Sequence, residues 1–489
     1  MKKGEFIGID FGTTNTAVVQ VLSDEQGMKT ISLGEGGYPF SSIVAIPKNG
    51  GAPKFGREVR NRREELSVDH DIFTSMKSYL GTYREFIVGA NRYTATDITS
   101  AFLKYVKAYI SRHHNVEINK AGFSFPVDFS PEARRELQIA AEKAGITVSS
   151  FISEPTAAYI SSRGEVQACE RVMVLDWGGG TFDISVLNLK KNSVTENFVL
   201  GERIGGDDID IELARRIHAA IAQKSGIGTK TGFDDMSPAD RDLIIARCER
   251  AKIEISETDE EYDFTVRDYG EYGTKSVTIS LELFNGIVKP VLKSKILRAI
   301  DTALGRTSLT PAGIDAVIIV GGSSNLTSYA EAITRLFGEE KIIFPQKPQW
   351  SAAEGAALMQ IIGGNFKLGN SLGDFLSDDS VFPLLKANEH GVGSKIGPVT
   401  FSLTEDTNEA HFIFTNGDGS RVFARENMPT RVPAKGYLDE KIKLNAEIGY
   451  DQIARIEIHN QSMGNIENNP PKKVEINELT FFYDISELN

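Results

Sequence analysis

The chain has 489 residues, about 40% of them apolar and 25% charged, with a net charge of −13. That length outgrows one hydrophobic core, so two or more domains are expected, and the acidic balance argues against non-specific nucleic-acid binding. Two cysteines, Cys169 and Cys248, make no disulfide framework and no C-x-x-C for zinc or redox chemistry, and the N-terminus MKKGEFIGID carries no apolar secretory core.

In chain order, the first informative segment is FIGIDFGTTNTAVVQVL (6–22), which reads as a strand ending in Asp, a Gly/Thr turn and a second, alternating strand. ARRELQIAAEKAG (133–145) is helical and stops at a Gly. RVMVLDWGGGTFDISVLNL (171–189) repeats the pattern of the first hairpin, with Asp176 lying 166 positions after Asp10. A domain-sized interval between two such copies predicts two similar lobes whose hairpins face each other across a cleft. IGGDD (204–208) precedes a helix that Asp207 or Asp208 is placed to cap. SPADRDLIIARCERAKIEIS (237–256) predicts a helix with Ser at the N-cap and Pro at the first position. DAVIIVGGSSNLTSYAEAITRLFG (315–338) predicts a buried strand, a Gly-Gly-Ser-Ser turn and a helix.

Beyond about residue 362 the helical period fades. HFIFTN (411–416), RVFARE (421–426), KIKLNAEI (441–448), ARIEIHN (454–460) and ELTFFYDI (478–485) alternate instead, which predicts a small all-β sandwich. The expected division is residues 1–363 as an α/β nucleotide-binding unit, 364–385 as a linker and 386–489 as the sandwich. NIENNPPKK (465–473) reads as a loop within it. The longest apolar runs are far too short to span a bilayer, so a cytoplasmic protein with no membrane partner is expected.

The chemistry sits in the turns. Holding a polyphosphate takes backbone N–H groups that approach closely, and Gly permits that approach. DFGTTN (10–15) offers Gly12, Thr13, Thr14 and Asn15, and DWGGGTFD (176–183) offers Gly178, Gly179, Gly180 and Thr181 from the other lobe. One such hairpin alone is an ordinary tight turn; two with matching Asp and Thr positions point to ATP or ADP. Asp10 and Asp176, at the strand ends, suit the water shell of Mg²⁺, which retains several waters. VGGSS (320–324) and IGGDD add two further loops at helix starts. Spacing by itself assigns no role to Lys77, Glu154 or Asp183.

Taken together, GIDFGTTNTAVV, SMKSYLG, FSFPVDFSPEARRELQIAAEKAGI, FISEPTAAYIS, VLDWGGGTFDIS, IGGDDID, CERAKIEIS and VIIVGGSSNL stand in the order found in DnaK-type 70-kDa heat-shock chaperones, and the chain resembles that family densely over residues 4–362. ENMPTRVPAKGYLDEKIKL (426–444) and INELTFFYDIS (476–486) resemble its peptide-binding β domain more loosely. The resemblance implies an actin-like two-lobed ATPase domain followed by a β-sandwich, acting as a slow ATP-hydrolysing chaperone on unfolded or extended polypeptide, with a nucleotide-exchange factor as a possible partner.

Residue by residue, the resemblance puts Lys77 on the γ-phosphate and the attacking water. It puts Glu154 and Asp176 around the Mg²⁺ waters, Thr181 and Asp183 on the second phosphate loop, and Gly205, Gly206 and Asp207 on a third. Glu249, Lys252 and Ser256, with Gly321, Gly322 and Ser323, match the adenosine clamp. Pro126 and Arg134 match a proline switch and an arginine that couple nucleotide to the C-terminal part. The departures are Asn325 where the family has an adenine-packing Arg, Gln349 where it has an Asp, and Pro383 within SDDSVFPLLKA (377–387), the nearest candidate for its linker. Asn325 and Gln349 imply weaker adenine selectivity. The sequence ends soon after the β part, so a member without a helical lid is expected, and uncharged Ser150 before FISEP argues against J-domain coupling. The alternative readings are a regulatory or exchange-factor-like relative with little turnover, and an actin-like filament ATPase.

Overall fold

The repeated hairpins become the central strands of two sheets with one topology. The computed structural model describes residues 4–25, 27–166, 169–226, 231–363, 366–431, 436–463 and 470–488. In the first lobe the strand order is Thr147–Ser153, Lys120–Phe125, Gly4–Phe11, Asn15–Asp24, Gly27–Ser32. The first three run parallel, and each of the last two is antiparallel to the strand before it. In the second lobe Ile342–Ile343, Ala316–Val320, Arg171–Trp177, Phe182–Lys190 and Ser193–Glu202 repeat that order and those directions. Strands such as Ala316–Val320 are buried along their whole length, as expected where both faces of a sheet are covered.

The helix expected from residue 133 starts two residues earlier, at Pro131: Ser130 accepts a bond from Ala133 N ahead of Pro131–Lys143. Ser237 does the same for Asp240 N ahead of Pro238–Thr258, so each satisfies an orphan first-turn N–H. Asp208, not Asp207, serves the helix Gly206–Ser225: its carboxylate accepts from Gly205 N at 2.8 Å. After VGG the backbone makes a 3-10 turn, Gly322–Asn325, before the helix Thr327–Phe337 begins.

Two helices join the lobes. Ser351–Ile361 lies on the first lobe's strands Gly4–Phe11 and Lys120–Phe125, while Glu154–Ser162 lies against Arg171–Trp177 of the second, and the two helices pack on each other. The approach is at backbone distance. A Cβ on Gly8 would sit 1.9 Å from Ala353 O, and one on Gly355 would sit 2.0 Å from Ala157 O. Only glycine admits that spacing.

The C-terminal strands form two antiparallel four-stranded sheets. One has the order Val381–Leu385, Leu372–Phe375, Glu409–Asn416, Val422–Pro429, and the other Lys395–Phe401, Ile442–Ile448, Ala454–Asn460, Lys472–Ile476. Burial alternates residue by residue along Ala454–Asn460, as the sequence alternation predicts. The inner faces share one apolar cluster that includes Phe412, Phe414, Leu444 and Ile456.

Two features differ from expectation. The segment expected as a linker is itself stranded. Phe366–Leu368 joins the second lobe's sheet, and SDDSVFPLLKA supplies the edge strand Val381–Leu385, where Pro383 costs no interior ladder bond. The strand within ELTFFYDI also leaves the C-terminal sheets. Phe481–Asp484 pairs with Ser193–Glu202, the edge of the second lobe's sheet, and Phe366–Leu368 pairs with its other side. Residues 465–469 of the expected loop lie outside the described residues, as do 364–365 of the expected linker.

One buried acid in this region is testable. Asp374 is 3% exposed and, among the described residues, accepts one hydrogen bond, from Ile413 N at 2.9 Å. Burial against that single donor pushes its carboxyl up to about 7. The folded state therefore holds a proton that the unfolded chain releases near its ordinary carboxylate value. Stability is full below that value and falls as pH rises towards the folded one. Asp374→Asn should remove this loss. Chemical denaturation should show the variant gaining roughly 1–3 kcal/mol over the parent between about pH 5 and about pH 8.

Candidate functional site

The two Gly/Thr turns meet face to face. A Cβ on Gly179 would lie 2.3 Å from Thr14 Oγ1, and one on Gly180 would lie 3.1 Å from Thr13 Oγ1. Backbone from opposite lobes is thus in contact distance of one small volume. The third loop sits behind: Gly206 N and Asp207 N donate to Gly178 O and Gly179 O at 3.1 and 2.8 Å. Gly205 and Gly206 therefore brace the second turn and do not line the cleft. Gly321 has φ +86°, and a Cβ there would fall 2.5 Å from Asp176 Oδ1 and 2.4 Å from Trp177 O.

At the cleft floor Lys77 is 5% exposed and bonds Glu154 at 2.5 Å, with Asp10 at 3.9 Å. Burial alone would lower the ammonium, but Glu154 and Asp10 outweigh it and hold Lys77 above its ordinary value. Ser124 donates to Asp10 Oδ1 at 2.9 Å. Asp183, fully buried, takes Val127 N at 2.8 Å through one oxygen, while its other oxygen finds no partner among the described residues. Burial, with Asp10 adding, pushes Asp176 up to about 7; burial, with Asp128 and Asp176 adding, pushes Asp183 up to about 8. Glu154 is raised by burial against the pull of Lys77. Three of the acids crowded around this one ammonium thus hold on to protons, and a cation would displace them and favour the ionised forms. Among the described residues no three His, Cys, Asp or Glu groups converge closely enough to ligate a metal directly.

A cavity of about 620 Å³ runs from this floor outwards. Thr13, Thr14, Asn15, Gly12 and Thr181 line its inner end. Glu249, Lys252, Gly322, Ser323, Asn325 and Gln349 line its outer end. A second chamber of about 540 Å³ shares Thr13, Thr14, Lys77, Thr181 and Asp207 with it and adds Gly180 and Pro126. Ser256 faces neither chamber; its hydroxyl donates to Lys252 O at 2.6 Å. Lys252 is itself committed to Gly206 O and Asp210, at 2.9 and 2.7 Å.

Arg134 lies elsewhere. It is 1% exposed, stacks over Phe125, and donates to Asp451 O, Gln452 O and Asn477 O of the C-terminal part at 3.0, 3.5 and 3.3 Å. Burial lowers it to about 10, against the pull of Asp451 and Glu196.

Several groups here were given no role from the sequence, although Ser75 opens the SMKSYLG segment. Ser75, at φ +56°, donates to Asp207 Oδ2 at 2.9 Å across the cleft. Arg60 bonds Glu249 at 2.7 Å, and Arg63 pairs with Asp242. On the outer end Tyr38 and Arg57 also line the cavity, with the guanidinium 4.8 Å from the ring centre. A cation thus reaches the outer chamber from the first lobe. Isolated Ser and Arg residues on a helix or loop give spacing arguments nothing to hold.

The family model for the Hsp70 protein matches residues 81–370, which takes in the second hairpin, the third loop and VGGSS. The chain belongs to the Hsp70 family. Members of the Hsp70 family are chaperone ATPases with actin-like lobes that bind ATP and ADP with Mg²⁺ and act on unfolded polypeptide, and the duplicated sheets described above fit that architecture. Among the described residues no helix is long and apolar enough to cross a membrane.

Gly321 gives a clean test of the cradle. Gly321→Ala must either flip a left-handed backbone or push on Asp176, at a cost of about 1–3 kcal/mol. Calorimetric ADP affinity in the presence of Mg²⁺ should fall by about tenfold or more, with the circular dichroism spectrum retained.

Proposed function

We propose that this protein binds Mg-ATP in the cleft between its lobes, hydrolyses it slowly to ADP, and couples the nucleotide to a C-terminal β-sandwich that holds an extended polypeptide. The observation that carries the reading is the buried Lys77–Glu154 pair at the meeting point of two Gly/Thr loops, in a pocket with excess carboxylate. A static, inactive relative has no need to keep an acidic cluster buried beside a phosphate cradle.

In this reading Thr13, Thr14 and Thr181 donate to phosphate oxygens together with the N–H groups of their turns. Lys77 faces the terminal phosphate and the attacking water, and Asp183 orients that water. Phosphoryl transfer to water asks for positioned charge more than covalent help. Asp10, Glu154 and Asp176 hold the waters of Mg²⁺, which when bound neutralises the phosphate charge. The base rests in the outer chamber against Glu249, Asn325 and Gln349. Two neutral carboxamides there support looser adenine selectivity than an ion pair would give.

The domain division proposed runs to about residue 363 for the nucleotide-binding unit, with the sandwich beginning near Leu372 and Phe366–Leu368 and Phe481–Asp484 both lent to the second lobe. Pro126, which lines the second chamber, and Arg134, which grips the C-terminal backbone, support a route between cleft and sandwich. Partners proposed are extended clients and a nucleotide-exchange factor, in the cytoplasm.

Three experiments test the reading. Lys77→Ala should cut single-turnover hydrolysis by about a hundredfold or more while sparing ADP affinity within a few-fold. Omitting Mg²⁺ should weaken ADP binding, and equal affinity with and without it would count against the arrangement. For the sandwich, labelled apolar heptapeptides should bind the full chain weakly, with an off-rate that changes between ADP and ATP. No binding in either nucleotide state by folded protein would favour the regulatory reading.

A further inference from the structure

The strand Phe481–Asp484 does more than extend a sheet. Its neighbour Ser193–Glu202 carries Glu196, a carboxylate 2% exposed at the junction of three elements. Glu196 Oε2 accepts from Phe481 N at 2.9 Å, and Oε1 accepts from Tyr483 Oη at 3.2 Å. Oε1 also accepts from Ser153 Oγ at 3.2 Å and from Thr156 Oγ1 at 2.6 Å. Four donors therefore converge on one buried acid, two from the C-terminal strand and two from the start of the helix Glu154–Ser162. A carboxylate so satisfied is a fixed point, because losing any donor leaves a buried lone pair unpaired.

The place where Glu196 grips that helix matters. Ser153 and Thr156 flank Glu154, the first residue of the helix and the partner of Lys77 at 2.5 Å. Ser153 is the N-cap, yet its side chain caps no helix N–H and bonds Glu196 instead. The position of Glu154 is thus set from behind by Glu196, and Glu196 is set by the C-terminal strand. That strand is well held. Tyr483, fully buried, pairs with Val194 on one side and Phe366 on the other. Ile485 N donates to Asn192 O at 2.8 Å, and Arg163 donates to Leu488 O at 2.9 Å. Phe366–Leu368 leads the chain out to the C-terminal sheets and Phe481–Asp484 brings it back, so both ends of that region are neighbours in one sheet.

We propose that Glu196 is a positioning residue for hydrolysis, through which the C-terminal strand sets the Glu154–Lys77 pair. The inference rests on the ATPase reading of that pair. It assigns the returning strand to the catalytic apparatus, and it gives the C-terminal sheets a route to turnover separate from Arg134.

The test uses full-length chains carrying Glu196→Ala, Glu196→Gln or Tyr483→Phe, with Lys77→Ala alongside. Single-turnover hydrolysis and Mg-ADP affinity are measured for each. Glu196→Ala should slow hydrolysis by about tenfold with affinity within about twofold, a split that a general loosening of the fold would not give. Glu196→Gln, which keeps an acceptor oxygen, should recover part of the rate. Tyr483→Phe, which removes one donor and keeps the packing, should slow hydrolysis by about threefold. An unchanged rate in Tyr483→Phe, or in folded Glu196→Ala, overturns the proposal. So does a parallel loss of rate and affinity in Glu196→Ala. If Lys77→Ala turns over as fast as the parent, the ATPase reading itself fails, and that outcome is distinct from the others.

Discussion

The structure depends first on backbone touching backbone between the lobes. Gly8 under Ala353 seats a helix on a strand, and Gly355 over Ala157 lets two helices cross, each at a spacing that a single methyl group would forbid. Each helix serves the other lobe's sheet, so neither lobe has a separable core at this seam. One apolar cluster accordingly runs from Ala157 and Ala353 through Val174 into the C-terminal residues Leu444 and Tyr483. Close packing of this kind transmits displacement, because there is no slack volume to absorb it.

That rigidity is what makes the charge arrangement at the cleft floor possible. Lys77, Glu154, Asp176 and Asp183 are held together at a cost in solvation that no surface cluster bears. A looser scaffold would relax by admitting water or separating the acids. Here the acids sit on strand ends and on the first residue of a helix wedged between lobes, so they cannot move apart without moving a sheet. The acids relieve that crowding by holding protons well above the ordinary carboxylate range.

Much of this was legible in the amino-acid sequence. The two hairpins carry their own period, their own turn residues and a repeat interval, and the matching sheet order follows from them. Ser237 announces its helix through local chemistry alone. The C-terminal alternation in ARIEIHN gives period-two burial directly. Long-range assignment was not legible. ELTFFYDI alternates as a strand must, but nothing local tells which sheet it joins; that is decided by an open edge and by Glu196, nearly three hundred positions earlier in the chain. Phe366–Leu368 is too short to register as a strand until its neighbours are known. Within the site, the Gly/Thr/Asp set announced itself by repetition. Ser75, Arg60 and Arg57 act through tertiary placement only, and the capping role fell to Asp208 because Asp207 turns towards Ser75.

Arg134 illustrates how a contact can bind tightly and read almost nothing. Its acceptors are all main-chain oxygens: Phe129 on its own lobe, and Asp451, Gln452 and Asn477 across the junction. A guanidinium that recognises carbonyls senses the path of the chain and not the identity of the side chains on it. Over evolutionary time such a junction can tolerate wide drift in the residues it touches, so long as the loop keeps its course. What it cannot tolerate is an inserted or deleted residue there, which would turn the carbonyls away while leaving composition almost unchanged.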